Sequence, residues 1–150
     1  MTFDFERMEV YQLSLKAIDL CLAIIAKMPR GHSDHADQLK RAVKSISFNI
    51  SEGSGEFKPL EKARFYRMAL RSTSEACSNV QIGNRLKIVS DDDYREAYEL
   101  FTRLAQMLTK LATSVELRNV SRDRDRERNS GFGNSGFGAR VLGPRVTGRF

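Results

Sequence analysis

Between Met8 and Val115 the apolar residues return at intervals of three and four, the period of amphipathic helices, and no stretch alternates long enough to make a strand. Met8, Tyr11, Leu15, Ile18, Leu22 and Ile25 form one such stripe, and the first helix is expected over roughly Glu6 to Met28. Leu13, Ala17, Leu20 and Ile24 form a second stripe of the same spacing. At about 100° per residue it falls on nearly the opposite side of that helix. A helix that is apolar on two sides has to be covered on two sides. The first stripe is therefore assigned to the bundle, and Leu13, Ala17, Leu20 and Ile24 to a contact with another subunit.

Pro29, Arg30 and Gly31 interrupt the chain, and Ser33 or Asp34 is placed to cap a second helix running to about Gly53. Leu39, Val43, Ile46 and Ile50 are its core stripe, with Gly53 and Gly55 read as its stop. Pro59 suits the first turn of a third helix that extends to about Lys87. Its core stripe is Phe65, Ala69, Ser72, Ala76, Val80 and Gly83, small enough for a neighbouring helix to come close. Asn79 lies near that face and needs hydrogen-bond partners if buried. Ser90 with Asp91, Asp92 and Asp93 supplies a cap and first-turn acids for a fourth helix. The fourth helix holds its stripe from Tyr94 to Val115. Four helices with short connections predict an all-α fold, an antiparallel up-down four-helix bundle over residues 1–118.

After Arg118 the apolar period stops. Residues 119–150 are expected to be a disordered tail, because Arg alternates with acid from Arg122 to Arg128 and SGFG then occurs twice, at Ser130–Gly133 and Ser135–Gly138. Arg, Gly and Phe together resemble sequence-tolerant RNA-binding tails; the plain alternative is a solvated extension with no role. The chain has 150 residues and a formal net charge of +6. Its tail holds seven arginines against three acids, a net +4, so only +2 belongs to the bundle. The basic total therefore says less about a polyanion partner than it first suggests.

Within the bundle the cations cluster. Lys40, Arg41 and Lys44 lie on the outer half of the second helix, and Lys62, Arg64, Arg67 and Arg71, with Lys58, load the first half of the third. Phe48 points away from the core stripe. Basic side chains beside an exposed aromatic ring are the elements of a nucleic-acid surface. The competing reading is a solvated face laced with ion pairs such as Arg71 with Glu75, and for Phe48 a subunit contact, which is the assignment made here. Gln38, Ser45, Asn49 and Glu52 form a polar seam, read as a buried network that fixes helix register, with Arg41 tied to Glu52 or Glu75.

Little else carries chemistry. His32 and His35 straddle a loop and a helix start without a convincing third ligand, so no metal is expected. The loop GSGEFKP lacks the G-K-[S/T] of a phosphate-binding loop, and no nucleophile or zinc-protease motif occurs. No enzyme activity and no cofactor are expected. Cys21 and Cys77 lack C-x-x-C spacing and read as small buried hydrophobes. The opening MTFDFERMEV has no signal-peptide layout, and no apolar run is long enough for a membrane span, so a cytoplasmic location is expected.

The segment QLKRAVKSISFNISEG, Gln38 to Gly53, resembles the signature of the four-helix-bundle family named for proteins encoded in 23S rRNA intervening sequences. The matching positions are Gln38, Arg41, Ala42, Ser45, Ile46, Asn49, Ile50, Glu52 and Gly53, then Phe65 and Ser72 to Glu75. Phe5, Met8, Val10, Tyr11 and Gln12 resemble the family's start. The resemblance covers about Phe3 to Glu116 and leaves out the tail. It implies a bundle that assembles into a ring, commonly a pentamer. The family includes the accessory variability determinant of diversity-generating retroelements, which binds nucleic acid through a basic surface and associates with a reverse transcriptase. The partners expected are further copies of this chain, RNA or DNA, and a protein, with no membrane. The function expected is that of a non-catalytic oligomeric scaffold or accessory factor binding nucleic acid. The alternative is a protein–protein assembly module with no nucleic-acid role.

Overall fold

The computed structural model describes residues 1–131. A short 3-10 turn at Asp4–Arg7 leads into α1 (Glu9–Lys27), followed by α2 (Ser33–Gly55), α3 (Pro59–Arg85) and α4 (Asp91–Gly131), with no strand among the described residues. The fold is an all-α four-helix bundle, and cross-helix contacts set its up-down course. Ser14 Oγ meets Ser47 Oγ at 2.8 Å between α1 and α2. Ser72 Oγ donates to Ser45 Oγ at 2.9 Å between α2 and α3. Arg67 reaches Glu116 between α3 and α4, and Lys27 reaches Asp93 between α1 and α4. Ser45 and Ser72 join the midpoints of their helices, and each of the other pairs joins an early position on one helix to a late position on the other, so these neighbours run antiparallel.

Leu39, Val43, Ile46 and Ile50 of α2 are fully buried, as their spacing predicts, against Phe101, Leu104 and Leu108 of α4. On α3 the small residues Ala69, Ala76 and Gly83 are buried. The Ser90 Oγ accepts the Asp93 backbone N–H at 3.1 Å and caps α4. The start of α2 differs from expectation: His32 holds the cap position without a side-chain bond, and Ser33 is already helical.

The bundle takes up both stripes of α1: Met8, Tyr11, Ile18 and Ile25 of the first pack against the core, and the second, read as a subunit contact, lies inside it. Leu13, Ala17 and Ile24 are buried in the bundle's own core, together with Ser14 and Cys21. The physical reason is size: Ser14, Ala17 and Cys21 let α2 and α4 approach α1 closely on that side. Leu15 and Ile18 are half-buried on the other flank, and Leu22 remains 42% exposed. Leu13, Ala17 and Ile24 are therefore not a subunit interface. Leu20 is half-buried and packs against the core from its edge.

Gly53 is also more than a stop. It lies inside α2, and a Cβ there would stand 2.7 Å from Tyr66 Cε1 and 3.0 Å from Phe65 Cβ. Only a glycine lets α3 come this near. Gly55, with nothing within 4 Å of a Cβ, is the residue that ends α2.

Met1–Asn119 forms one compact unit. The tail expected from residue 119 begins as helix, since α4 is helical to Gly131 with exposed side chains over residues 120–130. The alternation of Arg and acid explains this, because it sets opposite charges three apart on a helix, and Arg128 pairs with Asp125. Residues 132–150, with most of the SGFG repeats, lie outside the described residues. Among the described residues no helix is long and apolar enough to cross a membrane.

Candidate nucleic-acid interface

Burying Leu39, Val43, Ile46 and Ile50 leaves Arg41, Lys44 and Phe48 pointing outward. These three follow i, i+3, i+7 spacing and so line up on one outer stripe of α2. On α3 the same logic, with Ala69, Ala76 and Val80 inside, lines up Arg64, Met68 and Arg71. The contacts Ser45–Ser72, His35–Asn79 and Gly53–Tyr66 fix the register of the two antiparallel helices. In that register Phe48 is level with Ala69, next to Met68. Arg41 is level with Ala76, next to Glu75, and Glu52 is level with Phe65, next to Arg64. The outer face of the α2–α3 pair thus carries two apolar side chains at its centre, Phe48 65% exposed and Met68 42% exposed. Lys44 and Arg71 stand within about a turn of them, and the acids Glu52 and Glu75 stand towards the two ends.

The seven cations predicted for a nucleic-acid surface separate into four groups. Arg41, Lys44 and Arg71 are exposed on this face and form no ion pair among the described residues. Arg64 lies on the same face but pairs with Glu61 at 3.3 Å. Lys40 is exposed on the flank of α2 that turns towards α1. Lys62 and Arg67 are engaged by other groups. The Lys62 Nζ donates to the Ser54 carbonyl at the end of α2, 3.0 Å away, where a cation also suits the helix dipole. Arg67 turns to α4 and makes a two-pronged contact with Glu116, at 3.1 and 2.9 Å, and reaches Thr113 at 3.3 Å. That hydrogen bonding pushes the Arg67 pKa up and holds the Glu116 carboxyl below its ordinary value.

The polar seam resolves into a smaller network than expected. The Asn49 Nδ2 donates to the Ser45 carbonyl at 2.8 Å and to Ser45 Oγ at 3.1 Å, and Ser72 joins them from α3. These groups tie α2 to α3 and fix their register. Gln38 and Glu52 are exposed and outside it, and Arg41 is bonded to neither Glu52 nor Glu75. The Arg71–Glu75 pair of the competing reading is likewise not formed. Its absence leaves Arg71 open to solvent.

His35 is buried, its Nε2 2.8 Å from the Asn79 carbonyl, while Asn79 Nδ2 donates to the Glu75 carbonyl at 3.0 Å. No buried side-chain polar atom among the described residues lacks a partner. Among the same residues no three His, Cys, Asp or Glu side chains gather as a metal site. Burial pushes the Cys21 thiol up to about 12 and raises that of half-buried Cys77. Sequence reasoning singled out Phe48 and the cations but missed Met68. Its spacing of four from Arg64 and three from Arg71 was the available signal.

A search of curated proteins finds no match. The family description "23S rRNA-intervening sequence protein" matches residues 6–110, which takes in α1, α2, α3 and the first half of α4. The match covers more than half of the chain, and the helices it spans form the bundle described above. This protein belongs to the 23S rRNA-intervening sequence protein family.

Proposed function

We propose that this protein is a non-catalytic, self-associating bundle of the cytoplasm that binds nucleic acid through the outer face of α2 and α3, as a scaffold or accessory factor. The observation carrying this reading is the contrast among the bundle's arginines. Arg64, Arg67, Arg95 and Arg103 have carboxylate partners, and Arg7, Arg30, Arg85 and Arg118 have none among the described residues but stand at scattered positions, whereas Arg41 and Arg71, with Lys44, are unpaired together on one face. Unpaired surface cations are free to replace the counterions of a phosphate backbone. Self-association rests on the flank of α1, where Leu22 is exposed and Leu15 only half-buried. An assembly would repeat the weak cationic face in every subunit and raise its effective affinity.

The test is fluorescence anisotropy with a labelled oligonucleotide at several salt concentrations, comparing wild type with the variant Arg41→Ala, Lys44→Ala, Arg71→Ala. The variant should bind more weakly, and its log–log salt slope should flatten by about 2 for three lost phosphate contacts. Unchanged affinity and slope would remove this face from the reading. The exposed apolar pair Phe48 and Met68 favours a second reading, an assembly module for proteins alone. An assembled wild type that binds no oligonucleotide at low salt would select it.

A further inference from the structure

Phe48 is 65% exposed, yet it sits amid cations and not in a broad apolar patch. Lys44 is one turn away on the same helix, about 6 Å along its axis, and Arg41 two turns away, about 10 Å. Arg71 and Met68 flank it from α3. Glu52 lies one turn beyond Phe48 and Glu75 lies beside Arg41, so an anionic chain laid on this face is drawn to its centre, over Lys44, Arg71 and the ring. The stretch from Arg41 to Glu52 is about 16 Å, enough for a few nucleotides.

We infer that this face takes single-stranded nucleic acid, with one unstacked base laid on the Phe48 ring and its phosphates held by Arg41, Lys44 and Arg71. The inference rests on the nucleic-acid reading above and narrows its ligand. The bases of a duplex are stacked inside it, so two antiparallel helices lying against it would meet phosphates while Phe48 met no base face. A single strand offers both groups at once, a π-face for the ring and charges for the cations beside it. Stacking of this kind tolerates any base, which fits a face with few side chains able to read base edges. Met68, beside the ring, extends the apolar platform without adding a competing charge.

The chain contains no tryptophan, so Phe48→Trp installs a single emitter at the site while keeping an aromatic face. The probes are a 12-nucleotide oligo-dT, a 12-nucleotide oligo-rU and a 12-base-pair duplex, each titrated into the full chain. Quenching of the Trp by either single strand and not by the duplex supports the inference, and the stronger of the two names the sugar. Phe48→Ala should weaken single-strand binding roughly 5- to 100-fold and leave duplex binding unchanged. Circular dichroism checks that the variant is folded, and Phe48→Trp should restore the affinity. Equal binding of strand and duplex with no effect of Phe48→Ala would overturn the inference and leave the cationic face standing. A fall in assembled mass on Phe48→Ala, read by light scattering, would make the ring a subunit contact and also overturn it. Wild type binding none of the three probes would instead bring down the nucleic-acid reading itself.

Discussion

Replacing Gly53 by alanine adds one methyl group at the closest approach of α2 and α3. That carbon would stand 2.7 Å from Tyr66 Cε1 and 3.0 Å from both Tyr66 Cδ1 and Phe65 Cβ. Favourable carbon contacts begin near 3.5 Å, so the overlap approaches 1 Å. Neither neighbour yields readily. The Tyr66 ring is 3% exposed and packs in a small cluster with Ala63, Ala112 and Val115, while the Phe65 Cβ moves only with its backbone. Overpacking of this kind costs about 1–3 kcal/mol. The better helix propensity of alanine returns up to about 1 kcal/mol. The net expectation is a loss of about 1–2 kcal/mol. For a unit of this size that lowers the thermal midpoint by roughly 4–8 °C.

The assay is thermal and urea unfolding followed by circular dichroism, with Gly55→Ala as the control. No atom lies within 4 Å of a Cβ at Gly55, so that variant should be neutral or slightly stabilised. Tyr66→Leu should make room for the methyl, so the double variant should lose less than the sum of the two single changes. A Gly53→Ala protein as stable as wild type, or one indistinguishable from Gly55→Ala, would refute the close-approach argument.

Other perturbations test separate parts of the structure. Leu22→Asp on the exposed flank of α1 should lower the assembled mass in light scattering while preserving helicity, whereas Ala17→Asp, which buries a charge in the core, should unfold the chain in the same experiment. Glu116→Gln should cost under about 1 kcal/mol at neutral pH, because the Arg67–Glu116 pair is substantially exposed. The Glu116 carboxyl is held below its ordinary value in the folded protein, so its contribution is present above the unfolded pKa. It is lost as pH falls through the lowered one, and unfolding curves of the two proteins should converge in acid. Iodoacetamide at pH 8 should label half-buried Cys77 before Cys21, whose thiol burial pushes up to about 12; equal rates would contradict the burial described.

The helices were legible because each carries one dominant period, and α2 most clearly so: Leu39, Val43, Ile46 and Ile50 fix its inner face and hence the outward course of Arg41, Lys44 and Phe48. Helix α1 was misread because its two stripes are similarly apolar, and periodicity does not rank them. The deciding signal was side-chain size, since Ser14, Ala17 and Cys21 permit a close approach on the face that carries Leu13 and Ile24. Gly53 read as a helix stop because its partner, Tyr66, belongs to another helix. Charge pairing was illegible for the same reason. Arg67 is neutralised by a carboxylate 49 positions away, while the nearby Arg71 and Glu75, correctly spaced on one helix, do not pair. The helix beyond Arg118 is illegible in the apolar stripe, which ends there, while charge pairs three apart sustain a helix without a core.

The central claim is that nucleic acid meets the outer face of α2 and α3, and backbone NMR shifts of the full chain titrated with a short oligonucleotide test it most directly. The account predicts salt-sensitive shifts concentrated at Arg41, Lys44, Ser45, Phe48, Met68 and Arg71, with α1 and α4 little changed. Shifts concentrated on α1 and α4, or in residues after Asn119, would contradict it.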